Sequence, residues 1–379
     1  MKAVKNINIV LKNKIIEDGL LIFDEKIREL RSFYSEDDHL NLETIDGNGG
    51  YICPGFIDIH IHGSGGMDTM DAAENSLDNI SKSVIKSGVT SYLPTTMTME
   101  KEIIFNVLDN IKEYLKKENK GAQVLGVNVE GPFISKDKKG AQPEESIINP
   151  ELNLFDKYLD IIKIMTVAVE KAGAFELIEK LNNKGIITAL GHSTANYEDV
   201  LKAKQHGLKL ITHLYNAMTG LHHRHPGIVG AALNSSLSCE LIADGIHIHP
   251  AVLELTTKIK SADELILVTD AIEAAGLGDG KYNLGGQQVI VKDGSARLKN
   301  GTLAGSVLTM DQALRNMIKF TGLELPDIIK MISFNPAKLL NMEHKIGQIK
   351  RGLQSDLVIL DKELKVKEVF IKGKSKFKS

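Results

Sequence analysis

The chain has 379 residues, of which 42% are hydrophobic and 25% charged, the proportions of a globular protein and not of a disordered or fibrous one. Its net charge of -3 excludes the strongly basic footprint of a nucleic-acid or membrane-surface binder, so an anionic ligand must be held by local groups. Aromatic residues at 5% and the absence of Trp argue against a base-stacking platform, and no apolar run approaches the ~20 residues of a membrane span. Cys53 and Cys239 stand far apart with no C-x-x-C pair. That excludes a zinc finger, makes a disulfide framework unexpected and fits a reducing cytoplasm. The first ten residues lack the apolar core and cleavage site of a secretory signal, and none is expected.

In chain order, residues 7–11 and 20–23 read as short strands, parted by the polar turns 17–19 and 46–49. Pro54-Gly55 ends that segment. Apolar runs then alternate with amphipathic stretches. The runs are 56–61, 91–95, 124–129, 161–167, 186–189, 210–212, 239–242 and 265–269. The stretches are 76–87, 101–117, 173–184, 197–205, 250–261 and 311–320. Repeated strand–helix units predict a parallel sheet with right-handed crossovers. Their number favours an α/β fold of the (β/α)8 TIM-barrel type. Residues 281–302 break the rhythm and read as an inserted hairpin, with turns at Asp293-Gly294 and Asn300-Gly301. Strands return at 356–360 and 366–371. The expected organisation is a barrel over 55–345 and a small β-sandwich built from 1–54 and 346–379.

Most of the chemically useful residues stand where an expected strand ends, the functional face of such a barrel. His60 and His62 close the first strand at i and i+2 and so share a face. Glu130 follows the third strand, His192 the fifth, His213 the sixth and Asp270 the eighth. Imidazoles and carboxylates together suit Zn2+ or Fe2+, and a catalytic site leaves one position for water. A single His after a strand is usually a hydrogen-bonded loop or core residue, and Glu130 or Asp270 alone reads as a helix cap. Six such residues at strand ends point jointly to a metal site.

Pro54-Gly55-Phe56-Ile57-Asp58-Ile59-His60-Ile61-His62-Gly63 resembles the first-strand motif of the amidohydrolase superfamily. Gly347-Gln348-Ile349 and the segment from Gly352 to Val358 resemble its return into the terminal β-domain. Four further segments resemble the N-acetylglucosamine-6-phosphate deacetylases: Glu130-Gly131-Pro132-Phe133, Gly191-His192-Ser193, His213-Leu214-Tyr215-Asn216-Ala217-Met218 and Leu303-Ala304-Gly305-Ser306. The resemblance implies that Glu130, His192 and His213 hold one divalent metal, Zn or Fe. His60 and His62 offer a second position, with Glu130 bridging. Asp270 corresponds to the general acid/base. Ala141, Gln142, Asn216, Ala217, Arg224, His247, Ala304 and Gly305 fall at substrate-binding positions. The implied reaction releases acetate from an amino sugar phosphate, and a homodimer is implied, with Arg224 reaching the sugar phosphate either within its own chain or across the interface. Many family members carry His where this chain has Gln142. A carboxamide there can donate a hydrogen bond to the acetyl carbonyl but cannot titrate.

Other readings compete. Cyclic-amide hydrolases of the dihydroorotase or hydantoinase type use a carboxylated Lys at the end of strand four, and here Lys163 comes too early. A non-catalytic protein on the same fold should have lost ligands, and none is missing. The His222-His223-Arg224-His225 cluster reads as a polar binding loop, because Arg repels cations. His249 before Pro250 reads as the start of a helix, and His39, His206 and His344 as surface residues.

Overall fold

The computed structural model describes residues 1–32, 42–73, 75–118 and 120–379; His39 lies outside them. Eight parallel strands follow one another around a barrel: Phe56–Ile61, Val89–Thr96, Val127–Glu130, Ile162–Val167, Ile187–Leu190, Leu210–Ile211, Ser238–Ile242 and Leu265–Val268. Runs such as Leu-Ile-Leu-Val at 265–268 are buried along their whole length, as strands covered on both faces must be. The third strand departs from the single run expected. Gln123–Val124 pairs beside the second strand, and the ladder resumes only at Val127. The break falls at Gly126, whose φ of 146° brings its backbone against the Ile161 carbonyl and the Lys163 side chain.

Helices cover the outside. Lys101–Tyr114 buries Ile104, Val107, Leu108, Ile111 and Tyr114, a stripe at helical spacing. Tyr197–Gln205 begins at Asn196, whose side chain and that of Asp199 form a reciprocal capping box. Gly227–Leu233 is a helix the sequence pattern did not show, because nearly all of its small apolar residues are buried and it has no polar face to mark a period.

Beyond the eighth strand the barrel closes through main-chain bonds. Asp270 N–H donates to the His60 carbonyl at 2.9 Å, and His62 N–H donates to that of Ala271 at 2.8 Å. These bonds bring the ends of the first and last strands together.

The insertion is three antiparallel strands, not one hairpin: Gly280–Leu284, Gln287–Lys292 and Ser295–Leu298. The turn overlooked is Gly285-Gly286, both with positive φ. Val289 and Val291 alternate inward onto Met97, Ile272 and Ala304. Both chain ends contribute to a seven-stranded sheet, in the order Lys374–Lys378, Val366–Ile371, Leu357–Leu360, Glu43–Pro54, Lys2–Val10, Ile15–Phe23, Ile27–Arg31. The sheet curls over its own core. Phe23 and Phe370, four places apart in that order, pack edge to face with centroids 5.2 Å apart. The expected two layers are thus halves of one continuous sheet.

Candidate active site

Three side chains at strand ends sit on left-handed backbone: His192 with φ 48°, His213 with φ 29° and Asp270 with φ 47°. Non-glycine residues rarely adopt this conformation, which costs on the order of 1–3 kcal/mol each and concentrates at functional sites. All three converge on the barrel mouth.

Glu130 lies at the centre. Its Oε1 is 3.1 Å from His192 Nε2 and 3.1 Å from His213 Nε2. Its carboxylate is also 3.6 Å from His60 Nε2 and 3.4 Å from His62 Nε2. Asp270 Oδ1 is 3.5 Å from His60 Nε2 and 3.2 Å from His62 Nε2. Two ligand groups result: Glu130 with His192 and His213, and His60 with His62 and Asp270. All six side chains are buried.

Three of the four rings are tied down on their far sides. His60 Nδ1 bonds Glu240 Oε2 at 2.9 Å, His62 Nδ1 the Thr95 carbonyl at 3.2 Å, and His192 Nδ1 the Lys138 carbonyl at 2.8 Å. Such partners put the hydrogen on Nδ1 and leave the Nε2 lone pair for an ion. His60 Nε2 is buried without a hydrogen-bond partner. A buried polar atom left this way is costly unless something fills its valence, so the donor set fits a divalent cation.

The electrostatics agree. Burial alone would raise the Glu130 carboxyl, but His192 and His60 outweigh it and hold it well below the usual range. Burial likewise opposes ionisation of Asp270, yet His60 and His62 bring it down to about 2. For His60 burial favours the neutral ring, while Glu240, Asp270 and Glu130 lift it to about 9. Without a cation the cluster keeps its balance by holding protons.

The mouth opens into a cavity of about 290 Å3. Ala141, Gln142, Asn216, Ala217, His247 and Gly305, six of the positions that the resemblance assigns to substrate, line it together with Met97, Leu284, Thr302 and Leu303. Ala304 is buried behind them. Gln142 uses its carboxamide within the site: Nε2 donates to Glu130 Oε2 at 2.7 Å, and Oε1 accepts the Thr98 N–H at 2.7 Å. One of its two N–H bonds therefore stays available to a ligand. Asp244 locks His247, taking its ring N–H on Oδ2 at 2.7 Å and its backbone N–H on Oδ1 at 2.8 Å.

Arg224 is not in this cavity. It is exposed on the loop before the Gly227–Leu233 helix, with its guanidinium on His223 Nε2 at 2.6 Å. The other loop histidines, His222 and His225, stack at 5.7 Å and belong to neither ligand group. His249 caps the following helix, its Nδ1 accepting the Ala251 N–H.

Glu240, Asp244 and the Thr302 edge of the insertion are functional neighbours that the sequence reading missed. For Glu240 a signal was present. A glutamate inside the apolar run Cys239–Ile242 must either face solvent or find a buried partner, and it finds His60.

A (β/α)8 barrel with His and carboxylate groups gathered at its strand ends, and a terminal β-domain beside it, defines a metal-dependent hydrolase of the amidohydrolase type. The amidohydrolase family matches residues 51–376, and the chain belongs to that family. It is 40% identical over 388 residues to the N-acetylglucosamine-6-phosphate deacetylase of Bacillus subtilis (strain 168), covering 99% of this chain and 96% of the relative. It is 38% identical over 327 residues to the N-acetylgalactosamine-6-phosphate deacetylase of Escherichia coli O157:H7, covering 85% and 86%. The crystal structure of N-acetylglucosamine-6-phosphate deacetylase from Pasteurella multocida superimposes with a TM-score of 0.93 at 33% identity over 99% of each chain.

Proposed function

We propose that this protein hydrolyses the acetamide of N-acetyl-D-glucosamine 6-phosphate, giving D-glucosamine 6-phosphate and acetate. The observation that carries the reading is the convergence of Glu130, His192, His213, His62 and Asp270 on one cavity, with His60 buried against them, in a chain so similar to deacetylases of amino sugar phosphates. Glu130, His192 and His213 hold the principal ion, and His60 and His62 offer a second position. The nitrogen and oxygen donors suit zinc or iron. Bound there, the ion supplies Lewis acidity toward water and the amide carbonyl.

The side chains do the rest. Asp270, a carboxylate at neutral pH, takes a proton from the attacking water as the C–O bond forms. It then gives that proton to the amide nitrogen as the C–N bond breaks, so that a neutral amine departs. The free N–H of Gln142 steadies the oxygen of the acetyl group. His247, held by Asp244, and the Asn216–Ala217 turn orient the sugar. Arg224 meets the phosphate from the second subunit of a homodimer, which explains why it stands outside the cavity of its own chain. A cytoplasmic location completes the reading and fits two buried free cysteines.

The cyclic-amide alternative is not favoured. Lys163 is the second residue of its strand, at the end away from the barrel mouth, and Glu130 occupies the bridging position. The test compares acetate release from N-acetylglucosamine 6-phosphate and from its C4 epimer with ring opening of a cyclic imide such as dihydroorotate. The highest kcat/KM should fall on the gluco sugar. Turnover of the cyclic imide alone would overturn the assignment.

A further inference from the structure

We propose that Glu240 is a positioning residue that links the two ligand groups, aiming His60 at the second ion position while pinning the backbone of His213 at the first. One carboxylate oxygen, Oε2, takes both the His60 Nδ1–H at 2.9 Å and the His213 backbone N–H at 3.0 Å. The Glu240 carbonyl adds a third tie, accepting the Leu214 N–H at 2.9 Å. The strand Ser238–Ile242 thus grips the end of the neighbouring Leu210–Ile211 strand just where His213 turns into left-handed backbone.

The four site imidazoles are not supported alike. His62 and His192 present Nδ1 to neutral backbone carbonyls, and His213 Nδ1 has no partner. His60 is the one whose Nδ1 meets a carboxylate. A carboxylate partner raises the basicity of the opposite nitrogen more than a carbonyl does and fixes the ring plane. The ligand so strengthened belongs to the group His60–His62–Asp270, which lacks the Glu130–His192–His213 triad. His213, without a ring partner, depends on its main chain for placement, and Glu240 supplies that placement too.

Packing alone does not explain the residue. Glu240 is fully buried within the run Cys239–Ile242, whose other residues are apolar, its Oε1 has no partner, and burying a carboxylate with so few donors is unfavourable. A leucine would serve the barrel interior better.

The inference rests on the metal reading above but not on the choice of sugar, so binding is measured without substrate. Metal-stripped wild type, Glu240→Gln, Glu240→Leu, His60→Ala and the Glu240→Gln/His60→Ala double variant are titrated with Co2+ by calorimetry, with the visible Co2+ spectrum as a second readout. Wild type should show two classes of site. Glu240→Gln, close to isosteric, should remain folded when metal-free, yet bind at the weaker class ~10–100-fold less tightly, the usual scale for such a partner. The stronger class should weaken by less, and its spectrum should shift. In the double variant the glutamine should cost the weaker class nothing beyond the loss of His60. Unchanged affinities in Glu240→Gln, equal weakening of both classes, or a single class in wild type would overturn the proposal. Should Glu240→Leu not fold, Glu240→Gln decides. Acetate release from the sugar phosphate, assayed separately, shows whether the deacetylase reading stands whatever the metal titration gives.

Discussion

Asp270 meets His60 twice: its backbone N–H donates to the His60 carbonyl at 2.9 Å, and its Oδ1 lies 3.5 Å from His60 Nε2. The first contact belongs to the closing seam of the barrel and survives a change of side chain. The second belongs to the chemistry. Asp270 also has a φ of 47°, which Asn tolerates far better than Ala does.

Asp270→Asn should therefore fold and keep the ion held by Glu130, His192 and His213, while kcat falls by roughly 10²–10⁴-fold or more, the scale of a positioned acid/base. Asn is nearly isosteric but cannot accept a proton from water. Near-normal kcat in a metal-replete variant would move the proton transfer to another group.

His192→Ala removes one member of the group Glu130, His192 and His213. Two protein ligands hold an ion poorly, so most of the metal and the activity should be lost together. The Lys138 carbonyl also loses its partner, which loosens the loop carrying Gln142. Metal analysis of protein purified without chelator checks the outcome, and full occupancy in the variant would remove His192 from the ligand set.

The barrel strands were legible because buried parallel strands read as uninterrupted apolar runs, and the candidate ligands were legible because they close or follow such runs. The insertion was harder. Its first strand, Gly280–Leu284, alternates too briefly to stand out, and the Gly285-Gly286 turn that joins it to the next strand was not read as one. Gly227–Leu233 offered no amphipathic stripe. Within the site, position in the chain located the carboxylates and imidazoles but not what stands behind them. Glu240 is 180 residues from His60, a pairing that only closure of the barrel creates. Arg224 shows the converse limit. Its sequence neighbourhood marks it as a binding residue, and the single chain leaves it outside the cavity.

The raised His60 pKa gives a pH dependence with a definite sign. In metal-free protein the ring titrates near 9 instead of 6.5 because Glu240, Asp270 and Glu130 surround it against the opposing effect of burial. A raised folded-state pKa stabilises fully below the unfolded value and loses that contribution as pH rises through the folded one. The Tm of the metal-free protein should thus fall between about pH 7 and 9. Metal-loaded protein should not show that fall, because the cation replaces the protons. Loading should also release protons at pH 7, seen as a buffer-dependent enthalpy in calorimetry. A flat metal-free Tm over this range, with no proton release, would mean that His60 is neutral before the ion arrives.

With a net charge of -3, the protein needs a local cation for a sugar phosphate, and the guanidinium fork of Arg224 matches phosphate oxygens. A charge-assisted hydrogen bond is worth about 1.5–3 kcal/mol. Arg224→Ala should therefore lower kcat/KM for the phosphorylated sugar at least ~10-fold, and that for unphosphorylated N-acetylglucosamine far less. Exposure of Arg224 and of Leu221, at 60%, in a single chain fits a loop that works across an interface. Mixing separates that arrangement from action within one chain. A dimer of one Arg224→Ala subunit and one Asp270→Asn subunit contains one intact site if Arg224 serves its partner, and none if it serves its own chain. After random exchange of equal amounts of two-fold dimers, about a quarter of all sites should be native. Recovery of roughly that share of activity from two nearly inactive variants supports action across the interface. Equal proportional losses on the two sugars in Arg224→Ala, or no recovery on mixing, would take Arg224 out of that role.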